Sequence, residues 1–261
     1  MQPKFILPTS ADIDLMMHEV ASVLFPEVFG AIGDSDFYGL LVRHICFAFS
    51  TQEQKAEGTS PDAEAVASQL VGQLPLIGNL LRSDIDAVVT NDPAVTSPLE
   101  VISCYPAFTA MLHYRVAHAL HKLGVPLLPR IITERAHSVT GIDIHPAAEI
   151  GAAFGIDHGT GIVIGATAII GTGVMVYQGV TLGAKHFTRD VAGRMIDEPR
   201  HPIVEDHVTI YSNTSLLGRI RIGHDSVIGG NLWITHDVPA YSHVRQSRPI
   251  HHIGFMDGDG I

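Results

Sequence analysis

Residues 204–234 read VEDHVTIYSNTSLLGRIRIGHDSVIGGNLWI, and an aliphatic side chain returns at every sixth position of this stretch. Neither the 3.6-residue period of a helix nor the two-residue period of a flat strand gives this spacing. A short strand followed by a tight corner does, because one aliphatic side chain per strand then points into a narrow interior. The stretch therefore predicts a parallel β-helix, in which each coil buries its side chains against its neighbours. The members of this register are Val204, Ile210, Leu216, Ile222, Ile228 and Ile234.

The same register runs upstream and predicts that the β-helix begins near Thr140. It shifts by two residues between Ile162 and Ile164, so we expect one enlarged corner. Three six-residue units make one coil, which gives four coils stacked about 4.8 Å apart. Corner residues two positions beyond the third aliphatic of each coil should form a column, consisting of His158, Gln178, Ser212 and Gly230.

Residues 184–203, AKHFTRDVAGRMIDEPRHPI, interrupt the register. The interior of a solenoid has no room for an insertion, so this segment should project outward as a loop. Its lysine, arginine and histidine side chains make it a candidate functional segment.

Helical patterns precede the β-helix. Ser60 is expected to cap a helix that Pro75 interrupts, and a second helix should end at Asn91. Ser97 and Glu100 have the spacing of a capping box.

These patterns predict an α+β chain in three parts. Residues 1–140 form a helical domain that supports oligomerisation, and residues 141–249 form the β-helix with its extruded loop. Residues 250–261 lose all periodicity and are expected to be a flexible C-terminal tail.

Composition narrows the function. A chain of 261 residues with 46% hydrophobic content is large enough for a buried core, and a net charge of −11 argues against nucleic-acid binding. The two cysteines, Cys46 and Cys104, show no pairing pattern, and we find no signal peptide or membrane-spanning run. We therefore expect a cytoplasmic protein that does not bind membranes. Cys104 and Trp233 are interpreted as packing residues, and the sixteen histidines show no metal-ligand spacing, so no metal is expected.

Four motifs together resemble serine O-acetyltransferase: DIHPAA from Asp143, DHGTG from Asp157, RHP from Arg200, and GDGI ending at Ile261. The resemblance runs from about Asp84 to the last residue. Many acyltransferases share the six-residue repeat, whereas the conjunction of the four motifs is specific. The resemblance implies a left-handed parallel β-helix that transfers acetyl from acetyl-CoA to the hydroxyl of L-serine. The products are O-acetyl-L-serine and CoA, in the first step of cysteine biosynthesis.

Acetyl transfer to a hydroxyl needs a base, and histidine titrates close enough to neutral pH to serve. We expect His158 to take the seryl proton and Asp143 to hydrogen-bond the other nitrogen of its ring, as the family's catalytic pair falls on these positions. His201 would be a second catalytic or substrate-contacting histidine.

The resemblance also assigns the binding residues. Arg200 suits the carboxylate of serine, because its planar fork matches two oxygens, while Asp92 and Asp157 suit the ammonium. The positions that match the acetyl-CoA groove, which in the family lies between adjacent subunits of a trimer, are Gly183, Ala184, Ser212 and Gly230.

Partners follow from the same resemblance. A homotrimer or a dimer of trimers is implied. The tail, ending at Ile261, is implied to enter the active site of O-acetylserine sulfhydrylase, which is the cysteine synthase of this pathway.

Three alternatives stay open. The first is a hexapeptide acetyltransferase that acts on another hydroxyl acceptor. The second is a zinc lyase of the γ-carbonic-anhydrase type, and the third is a non-catalytic scaffold that binds the sulfhydrylase. The zinc lyase requires three convergent histidines, and the sequence offers no such set.

Overall fold

The computed structural model describes residues 7–31, 36–51 and 62–247. Its helices are α1 (Ser10–Leu24), α2 (Pro26–Phe29), α3 (Phe37–Ser50), α4 (Ala63–Asn91), α5 (Pro98–Cys104), α6 (Pro106–Lys122) and α7 (Leu128–Thr140). Its strands are β1 (Asp143–Ile144), β2 (Glu149–Ile150), β3 (Gly155–Asp157), β4 (Val163–Ile164), β5 (Ile169–Ile170), β6 (Met175–Tyr177), β7 (Thr181–Gly183), β8 (Ile203–Val204), β9 (Thr209–Ile210), β10 (Ser215–Leu217), β11 (Arg221–Ile222), β12 (Val227–Ile228), β13 (Trp233–Ile234) and β14 (His243–Val244). Across these three ranges, no helix is both long and apolar enough to cross a membrane.

Helix α4 is one continuous helix, and the predicted interruption at Pro75 is wrong. A proline inside a helix removes a hydrogen bond, at a cost of about 3 kcal/mol. Here the apolar stripe runs through the proline with unbroken spacing, so burial of both halves on one core holds the helix together. The buried stripe consists of Val66, Leu70, Leu74, Ile77, Leu81, Ile85 and Val88.

Of the two predicted helix N-caps, one is wrong and one is correct. Asp62 caps α4, with its carboxylate accepting from the N–H groups of Glu64 and Ala65, so the assignment of the cap to Ser60 is wrong. Ser97 caps α5 as predicted, because its hydroxyl accepts from the Glu100 N–H. The Glu100 carboxylate reaches back to the N–H and hydroxyl of Thr96 rather than to Ser97.

The strands form a three-faced parallel β-helix. The first face contains β1, β4, β7, β10 and β13, the second β2, β5, β8 and β11, and the third β3, β6, β9, β12 and β14. The first and third faces therefore carry five coils rather than the four expected. The fifth is incomplete, because on the second face only a bridge between Ile222 and Val238 continues it.

The enlarged corner lies where the register shift predicted it, between β3 and β4. Asp143 pairs with Val163, twenty positions on, whereas Val163 pairs with Thr181, eighteen positions on. The first coil is therefore two residues longer than the second. Its surplus lies just after Asp157, because Asp157 still pairs with Tyr177.

The predicted corner column is correct for three of its four members. Gln178, Ser212 and Gly230 lie one above another. The N–H of Asn213, next to Ser212, donates to the Gln178 carbonyl, and a Cβ on Gly230 would lie 3.0 Å from the Ser212 carbonyl oxygen. His158 leaves the column, because the two surplus residues bulge there and Thr160 takes its place next to Gln178. The Gly179 N–H donates to the Thr160 carbonyl, as the Asn213 N–H donates to the Gln178 carbonyl in the next pair of coils. The bulge turns the His158 side chain outward, and 72% of it is exposed.

The inserted segment projects as predicted. It contains a short hairpin in which Arg189 bridges Met195, and the Arg194 guanidinium pairs with Asp190 at 3.0 Å. Apolar side chains are also exposed on this segment, including Phe187 before the hairpin and Val191 within it.

A buried ion pair joins the helices to the first coil. The Arg115 guanidinium on α6 binds Asp84 on α4 at 2.9 Å, and each side chain is only 4% exposed. The same guanidinium donates to the carbonyls of Ile150 and Gly151, while Asp84 accepts from the Phe154 N–H. The solenoid is thereby fixed to the two central helices.

Two packing interpretations are wrong. Cys104 is exposed, and Trp233 is 73% exposed on the first face of the last coil. Periodicity places Trp233 next to the buried Ile234, so its side chain points outward. The tail, with Ile261, lies outside the described residues.

Candidate active site

His158 lies at the edge between the third and first faces, and its nearest acidic group is Asp157. The ring Nδ1 is 3.5 Å from Asp157 Oδ1, while the Asp157 side chain is only 14% exposed. An exposed imidazole beside a largely buried carboxylate can accept a proton from a bound hydroxyl, because the carboxylate favours the imidazolium that forms.

The expected hydrogen bond between Asp143 and His158 does not occur between these two described residues. Asp143 instead lies 3.6 Å from Arg130 Nη1 on α7. Arg130 also pairs with Glu134, one turn further along the same helix. The sequence pattern of the β-helix gives no sign of this competitor, because Arg130 belongs to a helix that precedes it.

Asp92 and Asp157 meet in one acidic pocket with two tyrosines. The Tyr105 hydroxyl donates to Asp92 Oδ2 at 2.8 Å, which raises the pKa of that phenol to about 12. Burial raises the pKa of Tyr177, and the charges of Tyr211, Asp157 and Asp92 raise it further. Two carboxylates that act on the same tyrosines suit a cationic group such as an ammonium.

His201 is a buried neutral imidazole with a fixed tautomer. Its Nδ1 receives a hydrogen bond from the Thr167 N–H at 3.1 Å, so the proton of the ring is on Nε2. Burial, assisted by the charge of Arg200, lowers the pKa of His201 to about 4. The ring is therefore neutral at neutral pH, and it can donate a hydrogen bond from Nε2 but is a weak base.

Gly165 and Thr167 position His201, and the sequence analysis missed both. A Cβ on Gly165 would collide with the His201 ring, so only glycine lets the ring pack on the first face. The Thr167 hydroxyl accepts from the N–H groups of Arg200 and His201 and lies 2.8 Å from the ring. The six-residue register could have indicated Gly165, since Gly183 occupies the same position one coil on.

Two polar atoms in this region lack partners. Across the described part of the chain, three buried side-chain polar atoms form no hydrogen bond, and they include Arg200 Nε and Gln178 Oε1. The third, His44 Nε2, lies in the helices. Such atoms are rare in folded proteins and mark places where a ligand can complete the bonding.

The predicted residues therefore fall into two groups. Asp92, Asp157 and His158 lie at the edge between the third and first faces, while Arg200 and His201 lie at the edge between the first and second. Of the residues matched to the acetyl-CoA groove, Ser212 and Gly230 belong to the first of these edges. Gly183 and Ala184 belong to the second, where Gly183 ends β7.

A cluster of ligand-type side chains lies where α7 meets the first coil. Among the described residues, one group of three ligand-type side chains comes together, formed by Glu134, His137 and Asp143. Arg130 already pairs with both carboxylates. The group therefore carries no metal proposal.

Comparisons with known proteins agree on one family. No family model matches the chain. A plasmid serine acetyltransferase of Synechococcus elongatus is 44% identical over 277 aligned positions, which cover 98% of this chain and 86% of the relative.

Solved structures give the same result. The crystal structure of serine acetyltransferase isoform 3 from Entamoeba histolytica, in complex with cysteine, superposes with a TM-score of 0.74 and 35% identity, covering 93% of this chain and 85% of that one. A serine acetyltransferase in complex with CoA gives a TM-score of 0.61 and 26% identity, covering 90% and 96%. With the two-edged site on a parallel β-helix and a relative this similar over nearly its whole length, the chain belongs to the serine acetyltransferase family of acyltransferases.

Proposed function

We propose that this chain transfers the acetyl group of acetyl-CoA to the hydroxyl of L-serine at a site shared by two neighbouring copies of a trimer. The reaction yields O-acetyl-L-serine and CoA and is the first step of cysteine biosynthesis. The observation that carries the shared site is the separation of His158 and His201 onto two edges of one prism. In a closed ring of three identical copies, each contact joins two different surfaces. The edge that carries His158 in one copy can therefore face the edge that carries His201 in the next.

In this site, His158 takes the proton of the serine hydroxyl as the oxygen attacks the thioester carbonyl. The tetrahedral intermediate then collapses with loss of the CoA thiolate, which leaves readily because the pKa of a thiol is about 8.5. The His158 imidazolium returns the proton to the departing sulfur. General-base catalysis of this kind contributes roughly 10²–10⁴-fold.

The other residues position the reactants. Asp92 and Asp157 bind the ammonium of serine, and Arg200 binds its carboxylate, with its unpartnered Nε completed by the ligand. His201 donates from Nε2 to an oxygen of the reacting centre. Asp143 is the proposed orienting carboxylate of His158, and it exchanges Arg130 for the imidazolium as charge develops.

A mixed-trimer experiment tests the shared site. His158→Asn chains and His201→Ala chains, each nearly inactive alone, should recover activity when they are denatured and refolded together. Random mixing leaves about one quarter of the sites with both histidines, so CoA release with L-serine should return to about that fraction of wild type. A mixture that stays as inactive as its parents would show that both histidines act within one chain.

The acceptor is checked in the same assay. Wild-type protein should release CoA faster with L-serine than with homoserine, because the extra methylene moves the hydroxyl away from His158 when the ammonium is held by Asp92 and Asp157. Inert serine beside an active different acceptor would favour a hexapeptide acetyltransferase of other specificity.

The proposal extends to a protein partner. We propose that the tail at 250–261 binds O-acetylserine sulfhydrylase through the GDGI motif and the side chain of Ile261. Deleting Ile261 should abolish binding to the sulfhydrylase, measured by calorimetry, while the rate of serine acetylation stays at the wild-type value. Unchanged binding of the shortened chain would remove this part of the proposal.

A further inference from the structure

Trp233 is the only tryptophan of the chain, and its indole is 73% exposed on the first face of the β-helix. Exposing so large an aromatic surface to water is unfavourable, so an exposed tryptophan on a rigid strand commonly marks a binding surface. The strands next to it on this face carry small side chains, so a ligand could lie flat against them. Ser215 is its register partner, and Thr181 lies directly below Ser215.

The first face presents groups of different chemistry in a fixed order along the solenoid axis. The His201 ring packs on Gly165 in the second coil, and Gly183 follows in the third. Lys185 follows Gly183, and its side chain lies next to Gly218 of the fourth coil. A Cβ on Gly218 would lie 3.3 Å from the Cβ of Lys185. Trp233 follows in the fifth coil.

Acetyl-CoA carries matching groups in the same order. Its thioester is followed by a slim pantetheine arm, then by anionic phosphates, and finally by a flat adenine. Four steps of about 4.8 Å separate the first coil, which holds His158, from the fifth, so the distance is about 19 Å. About twenty bonds separate the sulfur from the adenine, and an extended chain of that length spans on the order of 20 Å.

We propose that Trp233 stacks on the adenine of acetyl-CoA and that Lys185 pairs with its phosphates. This inference rests on the proposed function, because it uses acetyl-CoA as the acetyl donor. A base stacked on an aromatic side chain contributes enough affinity to change binding by roughly 10- to 100-fold. Trp233 is thus a positioning residue of the cofactor groove, distant from the chemistry.

Because Trp233 is the sole tryptophan, its fluorescence reports on this contact alone. Titration with CoA should quench the emission of the wild-type protein in a saturable way. Adenosine 3′,5′-bisphosphate, which contains the adenine and phosphates without the pantetheine arm, should quench it as well. Pantetheine should leave the emission unchanged.

Kinetics separate the stacking role from a structural one. Trp233→Ala should raise KM for acetyl-CoA by roughly 10- to 100-fold while KM for S-acetylpantetheine, KM for serine and kcat stay at wild-type values. Trp233→Tyr should restore most of the affinity, and Lys185→Met should weaken acetyl-CoA but not S-acetylpantetheine. Tyr241→Asn is the matched control, because Tyr241 is 71% exposed in the same coil but packs its ring edge-on against His224, away from the first face. Asparagine is used there because the φ of Tyr241 is +61°.

The outcomes distinguish this inference from the proposed function. If wild-type protein acetylates serine but Trp233→Ala keeps its KM for acetyl-CoA, the stacking is wrong and the proposed function stands. Dissociation of the trimer by Trp233→Ala, with CoA causing no quenching in wild type, would instead show that a second copy covers the indole. Wild-type protein that neither binds CoA nor acetylates serine would overturn both.

Discussion

Replacing His158 by asparagine should lower kcat for CoA release by roughly 10²–10⁴-fold and leave KM for acetyl-CoA within about twofold. His158 is an exposed imidazole 3.5 Å from the largely buried Asp157 carboxylate, and asparagine removes the proton acceptor. Asparagine is preferred to alanine for this test because the backbone has φ +56° here, a left-handed conformation that asparagine adopts more readily than alanine. The folded structure should therefore be unchanged, which circular dichroism and the melting temperature check.

His207 provides the matched control. It also has φ +56° at an exposed corner of the solenoid, but it lies between the second and third faces, away from both edges of the proposed site. His207→Asn should keep wild-type kcat. If His158→Asn retained more than about one tenth of the activity, a smaller loss than general-base catalysis predicts, then His158 would not be the base.

The β-helix was predictable almost to the residue because its rule is local and geometric. Ile144, Ile164, Leu182, Leu216 and Ile234 stack on one face, as the six-residue spacing requires. The enlarged corner was predictable for the same reason. Its consequence was not, because the sequence does not show that the two surplus residues bulge at His158 and expose it.

The helical part was harder, because tertiary packing outweighs local signals. Pro75 breaks an isolated helix, yet the buried stripe on either side of it holds α4 together. Similarly, Asp143 was expected to face His158, but Arg130 from a different element competes for it. Contacts between distant elements cannot be derived from spacing alone. Motif resemblance supplied the identities of the candidate site residues, while their separation onto two edges required the structure.

Replacing Asp84 by alanine should give the largest loss of stability. Asp84 is buried on α4 beside the apolar stripe, and its carboxylate accepts from Arg115 Nε, from Arg115 Nη2 and from the Phe154 N–H. Removing it leaves the Arg115 guanidinium buried without a counterion, a change that costs about 3–5 kcal/mol. The free energy of unfolding in guanidinium chloride should fall by that amount, measured at constant protein concentration because the stability of the proposed trimer would depend on concentration.

Asp86→Ala is the control on the same helix, because Asp86 is exposed and should change stability by less than about 0.5 kcal/mol. The double variant Asp84→Leu, Arg115→Met should recover much of the loss, since it removes both charges together rather than stranding one. A loss below about 1 kcal/mol in Asp84→Ala, well short of the expected penalty for a stranded charge, would mean that water or another acceptor reaches Arg115. The ion pair would then not be what fixes the helices to the first coil. A full loss with partial recovery in the double variant would show that the uncompensated charge causes the loss and that the ion pair holds α4 and α6 to the first coil.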